Sequence, residues 1–462
     1  MTPHRERKMK RVIVANRGAV ARRVIRALRA LGLESVAVYS EADRDLPYLR
    51  EADAAVAIGP APAAQSYLNR DTLLRVARET GADALHPGYG FLSENADFAQ
   101  AVEQAGMVFV GPSPRWIRML GHKTQARDAM AALGMPMAPS SAVLGADLDA
   151  VRQAAQALGY PVLIKPASGG GGIGMIPLHG PQDVDAEWAR ARLIAERSFG
   201  GSDLYLEKLL SNPRHIEFQF LADRHGQVRC LYERDCSTQR RHQKVLEEAP
   251  APGLDRAAVQ DMATRLEGML AGLGYDVIGT VEMLYTPESG FSFLEINTRL
   301  QVEHAVTEAV TGVDIVAAQL RLAAGEHMES VLPQVPPLRG HALEARVYAE
   351  DPVRFLPSPG VLRAFAPPDL RGVRVETGYA EGCRVSSHYD PMLAKVIAHA
   401  ATRDEAVALL KHALAQFRIE GVKTNIPFML QVLDDPAFRA GEVCTGMVSR
   451  ILETPRAAVQ AA

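Results

Sequence analysis

Glu282 and Glu295 lie in two strand-like runs, GTVEMLY and FSFLEIN, separated by the turn signal TPESG. An antiparallel hairpin centred near Glu288 sets the two glutamates opposite each other, within one register step. Facing residues on paired strands have Cβ atoms about 4.5–5.5 Å apart. Two carboxylates about 5 Å apart repel by roughly 3 kcal/mol at an effective dielectric near 20. A divalent cation reverses the sign of that term. Asn297 follows two residues later on the same face and adds a neutral oxygen. A few hard oxygen donors suit Mg²⁺ shared with phosphate groups. The competing explanation is one protonated or solvated glutamate at a sheet edge.

The chain continues as LEINTRLQVEH, Leu294–His304, with a period of two. Glu295, Asn297, Arg299, Gln301 and Glu303 share one parity, while Leu294, Ile296, Leu300 and Val302 share the other. Alternation of this kind predicts a strand with one polar face. A solvated strand gives a similar pattern, but here the polar face carries only acids, carboxamides and one arginine. Arg299 can fork onto a planar carboxylate-like anion, bicarbonate included. Glu303 is placed to act as a general base, and His304, on the opposite parity, is expected to be structural.

Two further stretches suit anions. KPASGGGGIGM, Lys165–Met175, runs from a lysine closing an apolar strand through four consecutive glycines to another strand. Glycine lets backbone N–H groups close on phosphate oxygens, and lysine adds a point charge. No GK[ST] follows, so this is not a Walker A loop. In RDCSTQRRHQKVLEEAPAPG, Arg234–Gly253, the residues Arg240, His242 and Lys244 share a parity, either as a local anion site or as a solvated basic loop.

These groups need a scaffold. A chain of 462 residues is too long for one core and points to two or three domains. RVIVAN, AVARRVIRALRALG and SVAVYS read as strand, amphipathic helix and strand, the opening of a parallel α/β sheet. Its first turn, NRGAVA, lacks GxGxxG, which disfavours a dinucleotide enzyme. A formal net charge of −3 argues against a general affinity for nucleic acid or an anionic membrane. No apolar run reaches membrane-spanning length. The four cysteines form no CxxC pair, consistent with free thiols and a cytoplasmic location. The pattern predicts an N-terminal α/β domain over 1–120, a helical connector over 121–137, a glycine-loop unit over 138–210, a C-terminal domain over 211–454 and a frayed tail over 455–462.

HPGYGFLSEN (His86–Asn95), the glycine loop, RDCSTQRRHQKVLEEAPAPG and LEINTRLQVEHAVTE together resemble biotin carboxylase, within the ATP-grasp superfamily, in order from about residue 10 to 450. The resemblance implies an α/β and α+β protein with an ATP-grasp fold. Its parts would be an N-terminal parallel-sheet domain, a small mobile lid and a C-terminal domain with a mixed or antiparallel sheet. It implies that Lys123, Lys165, Gly171 and Gly172 bind ATP phosphates. Glu207, Lys208 and Leu210 would hold adenine, and His215, Gln239 and His242 would line the nucleotide pocket. Glu282, Glu295 and Asn297 would hold Mg²⁺ or Mn²⁺. Lys244, Arg299, Gln301 and the Val302 backbone would bind bicarbonate, with Glu303 as its base, and Arg346 would stabilise the biotin enolate. The implied activity is ATP-dependent carboxylation of biotin through carboxyphosphate, as one component of an acyl-CoA carboxylase. Biotin would arrive on a separate biotinyl carrier protein, because no Met-Lys-Met triplet occurs here, and a carboxyltransferase subunit would act in trans. An ATP-grasp ligase with another acceptor, or a non-catalytic paralogue that binds nucleotide or carrier, are the alternatives. Three positions depart from the family pattern: Ile173 replaces a lysine or arginine, Ala19 a glutamate and Ala305 a proline. Ala19 falls in the domain through which the family often forms homodimers.

Overall fold

The computed structural model describes residues 9–167 and 173–453. Gly171, Gly172 and the tail over 455–462 therefore lie outside the described residues.

Five parallel strands open the chain: β1 (Arg11–Val14), β2 (Glu34–Ser40), β3 (Ala54–Gly59), β4 (Ala84–His86) and β5 (Val108–Phe109), in the order β3-β2-β1-β4-β5. Both faces are covered, so the inner strands read as continuous apolar runs. Helix α1 (Gly18–Ala30) buries Val20, Ala21, Val24, Ile25 and Leu28, a stripe at helical spacing, and α2 (Arg70–Glu79) and α3 (Ala96–Gln104) belong to the same domain. The order reverses between β1 and β4. At such a switch point the loops leaving adjacent strands diverge, and a crevice opens at their carboxyl ends. The loops there are Asn16-Arg17-Gly18 after β1 and Pro87-Gly88-Tyr89-Gly90 after β4. The Asn16 amide ties them together, donating to the carbonyls of Pro87 at 2.6 Å and Tyr89 at 2.8 Å. Gly88, at φ +64°, must be glycine, because a Cβ there would stand 2.8 Å from that same amide nitrogen.

Two helices, α4 (Pro114–Leu120) and α5 (Lys123–Ala132), lead to a three-stranded antiparallel sheet. Its strands β6 (Val162–Pro166), β7 (Ile176–Leu178) and β8 (Leu204–Lys208) take the order β7-β6-β8. Helices α6 (Leu148–Leu158) and α7 (Val184–Phe199) pack on it around Val151, Ala155, Trp188 and Ala191.

Next come β9 (Arg214–Ala222), β10 (Val228–Arg240), β11 (Gln243–Ala249), β12 (Val277–Thr286), β13 (Gly290–Asn297) and β14 (His341–Tyr348). β15 (Gly360–Val361) pairs with β18 (Arg384–Val385), and β16 (Ala364–Ala366) with β20 (Arg418–Glu420). β17 (Val373–Thr377) and β19 (Met392–Ala400) complete an eight-stranded sheet of order β13-β12-β9-β10-β11-β14-β19-β17. Every pairing in it is antiparallel. Strand alternation divides β9 between two environments. Ile216, Phe218 and Phe220 pack into the apolar cluster beneath α8 (Arg256–Leu273), while His215, Glu217 and Gln219 take the other face. That polar face looks toward α9 (His304–Thr311) and the N-terminal domain, where Arg234 on β10 reaches Thr307 of α9 at 3.0 Å.

Candidate active site

A cleft of about 740 Å³ lies between the switch-point loops, the start of α5 and the polar face of the large sheet. Its floor follows from register. Glu282 on β12 is paired with Glu295 on β13, as the hairpin predicted, and on its other side with Glu217 on β9. Arg234 on β10 pairs with Glu217. Directly opposed residues share a face, so Arg234, Glu217, Glu282 and Glu295 form one row across four strands. The next row holds Gln219, Thr280 and Asn297.

Cations hold this row together. The Lys244 ammonium donates to Glu217, to Glu282 at 2.9 Å and to Glu303 at 2.8 Å. Arg234 is fully buried and donates to Glu217 at 3.1 Å. His215 Nε2 stands 2.9 Å from Glu282, and the Gln239 carboxamide caps its Nδ1. Burial alone would strip protons from these groups, but the carboxylates outweigh it. Burial lowers His215, yet Glu282 and Glu217 lift it to about 9, so it is an imidazolium at neutral pH. Burial likewise opposes the charged form of Lys244, which Glu217, Glu282 and Glu303 hold well above the usual lysine value. Conversely, burial pushes the glutamates up, but Lys244 and its neighbours bring Glu217 down to about 2 and Glu282 well below its usual range.

A second group sits where β13 ends. The period of two predicts a strand as far as Glu303, but β13 stops at Asn297 and the chain turns through Thr298–Val302 into α9. Beyond Asn297 the N-terminal domain takes over: Glu94 accepts from the Thr298 N–H at 3.2 Å and from Arg299 Nε at 2.8 Å. Arg299 also donates to Gln301 Oε1 at 2.8 Å and Asn297 Oδ1 at 3.0 Å. Gln301 donates to Glu282 at 3.1 Å. Glu303, at the N-cap of α9, is fully buried with Lys244 on one oxygen and Arg346 Nη2 on the other, at 3.0 Å. Arg346 on β14 also donates to Glu247 at 2.5 Å.

Lys123, at the start of α5, lies 3.6 Å from Glu295, and Lys165 on β6 donates to Glu207 at 2.9 Å. Both line the cleft together with His242 and Val302. Glu207, Lys208 and Leu210, at and just beyond the end of β8, are not among its lining residues. The Glu207 carboxylate is held by Lys165 and Arg127, and the Lys208 ammonium caps the Gly159 carbonyl at 2.7 Å. The shared parity of Arg240, His242 and Lys244 breaks at a two-residue turn, Arg241-His242, with φ of 49° and 64°. Arg240 turns away to fork onto Glu350, and only Lys244 enters the acidic row. Ala19 lines the cleft beside Arg17.

Glu217, Arg234 and Glu94 are functional candidates that sequence reasoning missed. The alternation in HIEFQF carried the signal for Glu217, and Arg234 opens a motif already singled out. Glu94 lies within HPGYGFLSEN, a motif quoted for the resemblance, but nothing local marks it as the partner of Arg299.

The donor set fits a hard cation. Glu282, Glu295 and Asn297 offer hard oxygen donors from adjacent strands, with the Asn297 oxygen turned to Arg299 and its amide nitrogen donating to Glu282 at 2.7 Å. His215, Glu217 and Glu282 also have ligand atoms within 4.8 Å of one another. The Lys244 ammonium bridges Glu217 and Glu282 there, filling the place of an ion.

Three family models tile the chain: Biotin carboxylase, N-terminal domain, over 8–117; Carbamoyl-phosphate synthase L chain, ATP binding domain, over 122–331; and Biotin carboxylase C-terminal domain, over 344–450. A biotin carboxylase of Halalkalibacterium halodurans is 48% identical over 444 residues, covering 96% of this chain and 98% of that protein. The mitochondrial methylcrotonoyl-CoA carboxylase subunit alpha of rice, Oryza sativa subsp. japonica, is 46% identical over 96% of this chain and 60% of its own length. A crystal structure of the biotin carboxylase domain dimer of Hydrogenobacter thermophilus 2-oxoglutarate carboxylase, in complex with MgADP, ADP and bicarbonate, superposes with a TM-score of 0.91. It is 38% identical, covering 97% of this chain and 100% of that one. Likeness extends over nearly the whole chain, the cleft included, and on that ground the chain belongs to the biotin carboxylase family.

Proposed function

We propose that the protein carboxylates biotin on a separate carrier protein, using ATP and bicarbonate through carboxyphosphate, as a component of an acyl-CoA carboxylase. The observation that carries this is the continuous charge chain Glu282–Lys244–Glu303–Arg346 in one cleft. It joins a phosphate-facing end, with Lys123 and Lys165, to an end where a planar anion and a ureido ring can meet.

Bicarbonate is a weak nucleophile, so orientation and charge neutralisation supply the acceleration. Lys244, Arg299, Gln301 and the Val302 N–H would hold it, and Glu303 would take its proton. Its oxygen then attacks the γ-phosphorus while the bond to the β–γ bridging oxygen breaks, giving carboxyphosphate and ADP. Glu282, Glu295 and Asn297 would hold Mg²⁺ or Mn²⁺, which when bound neutralises charge on the ATP phosphates. Carboxyphosphate cleaves to CO₂ and phosphate, phosphate takes the ureido N–H proton of biotin, and the nitrogen attacks CO₂. Arg346 would stabilise the enolate formed on the way. The glycine loop with Lys123 and Lys165 would bind phosphates. The end of β8, including Leu210, would meet adenine through its backbone, since the Glu207 and Lys208 side chains are engaged elsewhere.

Carrier protein and carboxyltransferase are partners in trans on this proposal, a homodimer is the proposed assembly, and four free thiols suit the cytoplasm. The test is ADP release measured with each substrate omitted. Turnover is expected to need both bicarbonate and free biotin. Release indifferent to biotin would point instead to an ATP-grasp ligase with another acceptor.

Ile173 is 51% exposed at the edge of the described lid residues, where the family carries a cation. Ile173→Lys is expected to lower the KM for ATP by a factor of about two to five, the range of one exposed charge pair. An unchanged or raised KM would show that the missing cation is no handicap.

A further inference from the structure

Behind the Thr298–Val302 turn lie two buried donors with no part in the chemistry above. His304, 1% exposed, directs Nδ1 to the Gln301 carbonyl at 2.6 Å. A carbonyl only accepts, so Nδ1 carries the proton. Lys395 on β19, also 1% exposed, directs its ammonium to the Val302 carbonyl at 2.6 Å and is itself held by Glu376 at 2.8 Å and Glu344 at 3.4 Å. These two carbonyls belong to successive peptides. Both peptides are trans, so each carbonyl points opposite to the N–H of the following residue. Pulling the Gln301 carbonyl inward therefore aims the Val302 N–H outward, and Val302 lines the cleft. No backbone oxygen among the described residues accepts from that N–H.

We infer that His304 and Lys395 are positioning residues that clamp two consecutive peptides and so fix the Val302 N–H and the start of the Glu303 residue for bicarbonate. The role rests on the bicarbonate site proposed above. His304 suits it because burial, with Lys395 nearby, holds its pKa well below the usual value, so the ring stays neutral with one proton to place. Its Nε2 has no hydrogen-bond partner among the described residues, which leaves Nδ1 as the working atom.

Lys395→Met removes one donor and leaves Glu376 and Glu344 without their ammonium, so that variant can fail to fold. A pair of milder variants carries the test. In His304→Asn the amide nitrogen falls near the Nδ1 position, and in His304→Gln near Nε2. The KM values for bicarbonate and MgATP are measured for both, with thermal melting to verify folding. His304→Asn is expected to keep the bicarbonate KM within about threefold of wild type. His304→Gln is expected to raise it about tenfold, with the MgATP KM unchanged within twofold in each. Equal bicarbonate KM values for the two variants, or parallel changes in both substrates, would overturn the clamp. Absence of bicarbonate-dependent ADP release in the wild type would instead overturn the proposed function, so the two failures are distinguishable.

Discussion

Glu303→Gln is expected to lower bicarbonate-dependent ADP release by about two to four orders of magnitude, the usual worth of a positioned general base, with MgATP affinity within a few-fold of wild type. The amide keeps the volume of a fully buried side chain but can accept no proton. Burial pushes the Glu303 carboxyl up, yet Lys244 and Arg346, one on each oxygen, bring it below its usual range. In the free protein it is therefore ionised but a poor base. A bound bicarbonate changes both terms. On the proposed function it would add negative charge beside Glu303 and compete for Lys244, and each effect would raise the carboxyl's proton affinity when a proton must move. On that proposal base strength is delivered by the substrate. The wild type should accordingly lose activity as acid protonates Glu303, and this limb should vanish in the residual activity of the variant. Turnover within tenfold of wild type would assign the proton to another group, with Glu217 the nearest candidate on the same ammonium.

What could be read from the chain divides by distance along it. The pairing of Glu282 with Glu295 was legible because a short turn fixes the register of its own hairpin. The parallel sheet was legible because buried strands and an amphipathic helix carry their own periodicities. The period of two in Leu294–His304 was a sound guide only to Asn297. Past that point the polar residues still reach one cleft, but as a turn pinned by Glu94, a residue 205 positions from Arg299. No local pattern announces such a partner. The Lys395 bond to Val302 spans 93 positions and is equally silent. Arg240, His242 and Lys244 show the converse error. Their common parity is real in the sequence, but a turn with two non-glycine residues at positive φ divides it, and Arg240 ends on Glu350. Arg346 is an expected site residue through resemblance to a family alone, whereas Lys244 also belongs to the basic stretch that the residues themselves mark out. Their physical reason, a shared set of buried carboxylates, emerges only when β11, β12, β14 and the start of α9 come together.

Lys244→Met should be the most destabilising single change in the cleft, by about 3–5 kcal/mol, the cost of leaving a buried charge unpaired. The methionine fills much of the lysine stem's volume, so little of the effect is cavity. Glu217, Glu282 and Glu303 lose the one ammonium they share, while Arg234 and the His215 imidazolium still compensate part of the row. The dependence on pH separates this explanation from simple loss of packing. In the wild type Glu217, Glu282 and Glu303 titrate below the usual carboxylate value. They contribute stability above the unfolded carboxylate range, and it is lost as pH falls through their folded values. Without Lys244 they move upward. Groups titrating above their unfolded value destabilise the fold at neutral pH, and the penalty fades as acid protonates them. The gap between wild type and variant in urea denaturation should therefore be widest at neutral pH and should narrow toward about pH 4–5, near the ordinary carboxylate range. A gap that stays constant, or widens in acid, would mean that Lys244 acts by packing and that the acidic row is neutralised by some other route.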